Sequence, residues 1–567
     1  VNLRWHAYGY RSTDDNTPLL SQPAEISVRF HRGYEDAVLR NRSPMMISLG
    51  PIVLGAAQPH PDIRCPKTML DGVVKRIAAK LPVPKNQMLR ELRLYVRRWC
   101  RRRLVPLSPD IDLSFESWIR DKPYPESRKA ELKKVYDNMV QGKLTSDMRK
   151  VKAFMKDETY GEYKHGRGIF SRVDAFKCLF GPLCSAIENV VYQQPEFIKH
   201  IPVADRPNYI EEFLASIGKF TCATDYTSFE SSFSSELMAV LDQEMFDYMC
   251  SRLGNSFSAQ VYRSLMLENE CKFKFFTVLV EARRMSGEMN TSLSNGFANL
   301  MVMSFLVEFL GMGELRMVVE GDDGLAVTSS GRFPTADDFA SLGFKIKIEL
   351  HGMKERASFC GIIYHPDDKQ TVTDPRKILV KFGWASSAYI GCRSNKLLAL
   401  LRCKSLSNLH QYPGCPIIQK LALYGLRMTR SFDVKRFIMN DRKMSQYERE
   451  QLLQACNDIK TVEIRDWEKN HPIGNSTRAL VEEMYGITIE QQMALEKYLD
   501  SLNELGPLNV TTMVDFPVSW CDYYTRYVLL SRGENVDLQL TPRDPMVGLY
   551  HLECYWLKRE LIFVEEG

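Results

Sequence analysis

The stretch Met317–Val327 reads MVVEGDDGLAV. Apolar residues lead into and out of a turn, the pattern of a strand-turn-strand hairpin with Asp322 and Asp323 side by side at its tip. Gly321 and Gly324 bracket the two acids, so the main chain can turn tightly and approach a bound ion or phosphate with no side chain in the way. Adjacent carboxylates so placed are hard oxygen ligands for a divalent cation. A Gly-Asp-Asp turn is also an ordinary exposed hairpin tip, and the remaining segments have to decide between the two.

The chain has 567 residues, enough for several cores, and at 44% hydrophobic and 26% charged it has the composition of a soluble globular protein and not of a disordered chain. Its longest uncharged apolar region, Met289–Val307, contains Asn290, Ser292, Asn295 and Asn299. A lipid-facing helix would not tolerate these cheaply, so no membrane span is expected. The first residue is Val and no charged-then-apolar leader follows it. The 14 cysteines are scattered without a Cys-x-x-Cys pair, which predicts reduced, buried thiols in a cytosol-like compartment. The net charge of +5 is unevenly placed: Lys67–Arg103 holds 12 Lys or Arg against Asp71 and Glu91. Such a local excess favours a polyanionic partner.

In chain order, residues 1–66 are rich in Pro, Ser and Arg and yield no chemistry. The spacing of Leu89, Leu92, Val96 and Trp99 predicts a helix over Lys85–Leu104, with Arg90, Arg93, Arg97 and Arg101 on another face. That face reads as an RNA-facing stripe, or as a solvated one whose arginine stems cover apolar surface. Asp112–Leu132 predicts two helices separated by a Pro-containing turn. Val151–Arg172 predicts two short strands joined by a polar loop, with Lys152, Lys156, Lys164, Arg167 and Arg172 along it. Cations in that array suit a triphosphate, and equally a basic surface hairpin.

In FTCATDYTSFESSF, Phe220–Phe233, an apolar strand carries Asp225 at its end and Glu230 follows five positions later. One carboxylate at a strand end beside a hairpin with two more is the arrangement a two-metal site requires. Ser286 and Gly287 predict a turn before a helix on which Thr291, Asn295 and Asn299 form one row. The row suits hydrogen bonding to a sugar or a template backbone, or simply satisfies the helix's own amides. GFKIKIE, Gly343–Glu349, alternates as a strand, and Ala357–Tyr364 predicts a short strand pair. From about residue 366 the pattern is helical, with capping boxes at Ser445/Glu448 and Thr488/Gln491; the second of these helices is expected to turn Ile489, Met493, Tyr498, Leu499, Leu502 and Leu505 inward and to stop at Gly506-Pro507.

Taken in order, these segments resemble the motif set of RNA-dependent RNA polymerases of positive-strand RNA viruses, the tombusvirus-like and flavivirus-like enzymes in particular, over roughly residues 113–365. SGEMNTSLSN resembles their SG-x-MNT-x-x-x-N helix, GDD their metal hairpin, and GFKIKIE followed by SFC the strands after it. The resemblance implies an α+β right-hand polymerase fold: an N-terminal extension over 1–105, fingers over 106–220 and 246–284, a palm over 221–245 and 285–365, and a helical thumb over 366–567. It implies template-directed nucleotidyl transfer with two Mg²⁺, for which Mn²⁺ substitutes. Asp225 and Asp322 would be the principal metal ligands, with Asp323 assisting. Lys347 would be the general acid for pyrophosphate, with Lys354 the runner-up.

By the same resemblance Lys156, Lys164, Arg167 and Arg172 would line the nucleotide channel, and Ser286, Thr291 and Asn295 would read the ribose and the template. Tyr124, Arg128, Gly287, Phe359, Cys360, Arg97 and Arg101 would face RNA. RNA, NTPs and other viral replicase proteins are the implied partners, in membrane-associated complexes of the host cytoplasm. One position departs from the family, which has Asp where this chain has Glu230. The carboxylate is kept with a reach one methylene longer, as acceptor for a ribose 2′-hydroxyl or for Asn295. Two rivals stand beside this reading. A reverse transcriptase shares the paired-Asp hairpin but not Gly321 or the Ser-Thr-Asn helix, and a non-catalytic RNA-binding scaffold would have no need of the carboxylates.

Overall fold

A computed structural model describes residues 5–12, 27–77, 83–139, 149–214, 217–218, 220–226, 228–253, 269–281, 283–352, 356–432, 434–459 and 463–529. Lys354 lies outside them. The described residues form twelve strands, in chain order β1 His6–Tyr8, β2 Ser27–Phe30, β3 Pro44–Ser48, β4 Lys150–Met155, β5 Gly168–Arg172, β6 Thr221–Tyr226, β7 Asn269–Lys272, β8 Phe276–Val280, β9 Leu315–Glu320, β10 Asp323–Thr328, β11 Ile346–His351 and β12 Trp384–Ser386.

The hairpin expected from MVVEGDDGLAV is β9–β10, and it lies at one edge of a four-stranded antiparallel sheet ordered β11-β6-β10-β9. Its turn is the two residues Gly321 and Asp322, with Glu320 opposite Asp323. Gly321 takes φ 63, the left-handed conformation that the first position of such a turn asks for. Gly324 serves differently: a Cβ there would stand 2.4 Å from Met317 Cε and 2.7 Å from Thr224 Oγ1, so its bareness lets the three strands close up. β6 is a continuous run of buried residues broken only at Asp225, which is exposed.

Behind this sheet lies the helix Thr291–Phe309. It is apolar nearly all round because it is buried all round, packed against β9 and β10 and against the helices Asn86–Arg103 and Ala336–Ala340. A second sheet of five strands, β2-β8-β7-β4-β5, carries the cationic loop between antiparallel β4 and β5. From Pro375 onward the described chain is mainly helical, and both capping boxes are formed. The helix after Thr488 runs Ile489–Ser501 and buries Gln492, Leu495, Glu496 and Leu499, while Met493 is exposed. Of the expected apolar stripe Leu499 is buried and Tyr498, Leu502 and Leu505 pack against the same core, but Met493 faces out and Glu496 turns inward instead, to Arg478, 2.8 Å away, and to the Ile417 amide at 2.9 Å.

The first 66 residues, which gave no chemistry as sequence, fasten distant elements together. β1, β3 and β12 form one sheet, Leu54 N–H donates to Leu508 C=O (2.9 Å), and Ala57 N–H donates to Trp520 C=O (3.1 Å). The same segment reaches the cationic loop: Tyr160 N–H donates to Pro59 C=O at 2.8 Å, and His60 Nε2 meets Asp157 Oδ1 at 2.7 Å. Ala357–Tyr364 is not a strand pair but single bridges, Phe359 to Ile362 and Ile363 to Val372. No described helix is long and apolar enough to cross a membrane, and ten of the thirteen cysteines among the described residues are buried.

Candidate active site

Antiparallel pairing of β6 with β10 sets Thr224 opposite Gly324, which brings the end of β6 alongside the hairpin tip. A cavity of about 290 Å³ opens there, and its wall includes Asp225, Asp322 and Glu230 together with Lys156, Lys164 and Arg167. Five separate segments, residues 73–77, 156–170, 225–231, 283–286 and Asp322, therefore meet at one place, and the cationic loop lines a cavity.

Among the described residues, none makes an ion pair with these three carboxylates. Burial pushes the Asp322 carboxyl above the usual range and the charge of Glu230 adds to the shift, with a smaller push from Asp225. The side chain is open to the cavity while protein atoms surround it on its other sides. Asp323 points elsewhere. It is absent from the cavity wall and interacts with the Cys360 thiol, and burial followed by the Asp322 charge pushes it up to about 7. Cys360 sits at φ 52 in its turn and donates to Glu320 Oε2 at 3.8 Å; Glu320 in turn pairs with Arg206 (2.7 Å). Phe359 is buried in the small core beneath that turn.

Asn299 holds the hairpin. Its Nδ2 donates to Asp322 C=O at 2.9 Å and to Gly321 C=O at 3.4 Å, and its Oδ1 accepts from the Tyr226 hydroxyl at 3.3 Å. Both side chains are buried. The row Thr291, Asn295, Asn299 was its only trace in the sequence. Asn295 makes the next connection: Nδ2 donates to Glu230 Oε1 (3.4 Å), and Oδ1 accepts from Arg284 Nη1 (2.9 Å). Arg284 is itself buried, pairs with Asp242 through Nη2, and lies over the Phe233 ring at 3.5 Å. Glu230 is thus positioned through two layers of polar contacts.

The remaining predicted residues divide. Ser286 is on the cavity wall, while its C=O accepts from Phe170 N–H (2.7 Å), and Gly287, at φ 105, lies over Ile169. Thr291 is not on the wall; its hydroxyl donates to Met285 C=O at 2.9 Å and closes the loop before the helix. Arg172 is away from the cavity as well. It is buried on Glu288 (2.7 Å) and Asn269 (2.6 Å), because it alternates inward on β5. Lys156 and Arg167 share Glu158, at 3.0 and 2.6 Å. These two pairs outweigh burial and lower the Glu158 carboxyl to about 2. Lys347 is exposed and paired with Glu349, and it stands directly opposite Asp225 in the β11–β6 register.

The arginine stripe is largely committed. Arg97 makes a bidentate pair with Glu244 (2.7 and 2.8 Å), Arg98 meets Glu308, and Arg103 meets Glu196. The acids missing from the local sequence come from other elements, so Arg97 is held in an ion pair while still exposed, and Arg101 is exposed as well. Arg128 likewise binds Asp174 through both nitrogens, at 2.8 and 2.6 Å, and Tyr124 packs beside Trp118. Sequence reasoning also gave no role to three cavity cations, Arg76, Arg283 and Arg284.

Oxygen-only donors with uncompensated charge fit a hard divalent cation. Among the described residues, no three His, Cys, Asp or Glu side chains are gathered closely enough to make a finished metal cluster.

Two comparisons bear on this arrangement. Residues 225–505 match the model of the family described as viral RNA dependent RNA polymerase. Over 244 residues the chain is 25% identical to a protein named RNA-directed RNA polymerase from Panicum mosaic virus (strain United States/Kansas 109S), a match that covers 40% of this chain and 22% of that protein. The chain thus matches less than a quarter of the length of that relative.

Proposed function

From the premise that residues 225–505 carry a viral RNA-dependent RNA polymerase sequence, we propose that the chain extends an RNA 3′-end with NTPs on an RNA template, by a two-metal-ion route, in the replication of a positive-strand RNA virus. The observation that carries the reading is the cavity where Asp225 and Asp322 face Lys156, Lys164 and Arg167. In right-hand terms the four-stranded sheet with the helix Thr291–Phe309 is the palm, the five-stranded sheet and its cationic loop belong to the fingers, and the helices after residue 366 form the thumb.

Asp225 and Asp322 hold the metals in this proposal. Bound there, two Mg²⁺ would acidify the 3′-hydroxyl and neutralise the triphosphate. Lys156, Lys164 and Arg167 screen the entering triphosphate and the departing pyrophosphate. Ser286 and the Asn295-held Glu230 meet the ribose, where a carboxylate acceptor favours a 2′-hydroxyl. Lys347 is on the same sheet face as Asp225, since directly opposed residues share a face, and serves as proton donor to pyrophosphate. Other replicase proteins carry the chain to host membranes.

The test is incorporation of labelled NTPs by the purified chain on a short RNA, with Mg²⁺ or Mn²⁺, beside Asp322→Ala. Template-dependent product that disappears in the variant is expected. Tight RNA binding without synthesis under every condition would leave the scaffold reading in its place.

A further inference from the structure

Six cations line the cavity: Arg76, Lys156, Lys164, Arg167, Arg283 and Arg284. Lys156 and Arg167 are paired with Glu158, and Arg284 with Asp242. Among the described residues Arg76 makes no ion pair, although it is half-buried and belongs to a helix, Pro66–Ile77, whose inner face is packed. A guanidinium taken partly out of water without a carboxylate against it is costly unless an anion arrives to meet it. The field around it is split. Glu230 and Glu158 attract it, Arg167 repels it, and burial disfavours its charge most of all.

The helix is held at this place by close backbone approach. A Cβ on Gly72 would stand 2.6 Å from Gly166 C=O, so only a glycine lets the helix seat against the loop that carries Lys164 and Arg167. Tyr10 secures the same loop, receiving Lys164 N–H at 3.1 Å and donating back to Lys164 C=O. Arg76 is therefore delivered to the cavity by the N-terminal part of the chain, outside residues 225–505; in the sequence it is one cation of the basic run Lys67–Arg103, with no role of its own.

We infer that Arg76 is a further phosphate contact of the nucleotide site, supplied by the N-terminal helix and directed at the triphosphate of the incoming NTP. The inference rests on the reading that this cavity receives an NTP. Because the contact is made before and during transfer alike, its loss should raise KM and leave kcat nearly unchanged.

The experiment compares Arg76→Gln, Arg76→Lys and, as a control for net charge on the same helix, Lys75→Gln. Expected for Arg76→Gln is a roughly tenfold rise in KM for NTP, kcat within about twofold, and unaltered RNA affinity, with Arg76→Lys recovering part of the loss and Lys75→Gln none. An unchanged KM, or an equal loss of RNA binding and of KM, overturns the inference. A second readout needs no synthesis: phenylglyoxal labelling of Arg76 followed by mass spectrometry, with and without tripolyphosphate. Protection of Arg76 in a chain that makes no product supports the phosphate site while the polymerase reading fails; full labelling at saturating tripolyphosphate overturns the phosphate site itself.

Discussion

Asn299→Ala removes one buried amide and tests whether the hairpin tip is held from behind. Asn299 is fully buried, and its loss strands the Tyr226 hydroxyl, which is buried beside it, and frees the Gly321 and Asp322 carbonyls. An orphaned buried hydroxyl costs about 1–3 kcal/mol. The vacated side-chain volume adds about 1 kcal/mol, which gives a total of about 2–4 kcal/mol for a site that cannot rehydrate. The catalytic effect comes from a different source. Asp322 C=O loses its only long-range tether in the described structure, and a drift of about 1 Å at a reacting centre costs on the order of 10²-fold in rate. Urea unfolding measures the first number, and single-turnover incorporation at saturating NTP, well below the melting temperature, measures the second. Tyr226→Phe closes the cycle: it should cost about 1 kcal/mol alone and far less in the Asn299→Ala background. A variant that loses the full stability yet transfers nucleotide at the wild-type rate would refute the tether.

Gly324→Ala forces a Cβ to within 2.4 Å of Met317 Cε and 2.7 Å of Thr224 Oγ1, and should cost about 1–3 kcal/mol in thermal unfolding, with Met317→Val in the same chain returning part of it. Arg284→Met removes the buried cation paired with Asp242 and should cost about 3–5 kcal/mol, whereas the double change Asp242→Leu with Arg284→Met should be milder in stability and still release Asn295 and Glu230, read as weakened preference for ribo- over deoxynucleotides. Glu158 has its folded carboxyl lowered from 4.5 to about 2. Its stabilisation is therefore present above the unfolded value and is lost as the pH falls from about 4.5 to about 2. Glu158→Gln should lower stability by about 1–2 kcal/mol at pH 7, the partners being half-exposed, and the difference from wild type should vanish near pH 2.

The elements that read well in the sequence are those whose residues answer to their neighbours in the chain. The Gly-Asp-Asp turn, the strand ending at Asp225, the two-strand cationic hairpin and both capping boxes are local statements, and each formed within a few residues of its expected place. What could not be read depends on partners far away in the chain. The arginines of Asn86–Arg103 had no acids nearby in sequence, yet Glu196, Glu244 and Glu308 come to them in space. Arg172 carries the same charge as Arg167, but on β5 the alternation turns it onto Glu288. Asp323 is adjacent to Asp322 in the chain, and the hairpin sends the two side chains to different surroundings. The first 66 residues have no periodicity because their strands are short and pair far from their own place in the chain: β1 with β3 some forty residues on, β2 with β8, and β3 with residues 384–386.

That N-terminal segment changes the mechanics of the opening. A groove with free rims widens like a jaw, and a polymer can be laid into it sideways. Here one continuous span is bonded to the cationic loop at Pro59 and His60 and to the helical half at Ile52, Leu54 and Ala57, so on the proposed function the two rims of the RNA opening would be buckled together. An opening with buckled rims has a perimeter, and a polymer enters it by an end. On the proposed function, a linear RNA would be threaded and a covalently closed circle of the same sequence would be refused at the entrance, whatever its affinity for the surface.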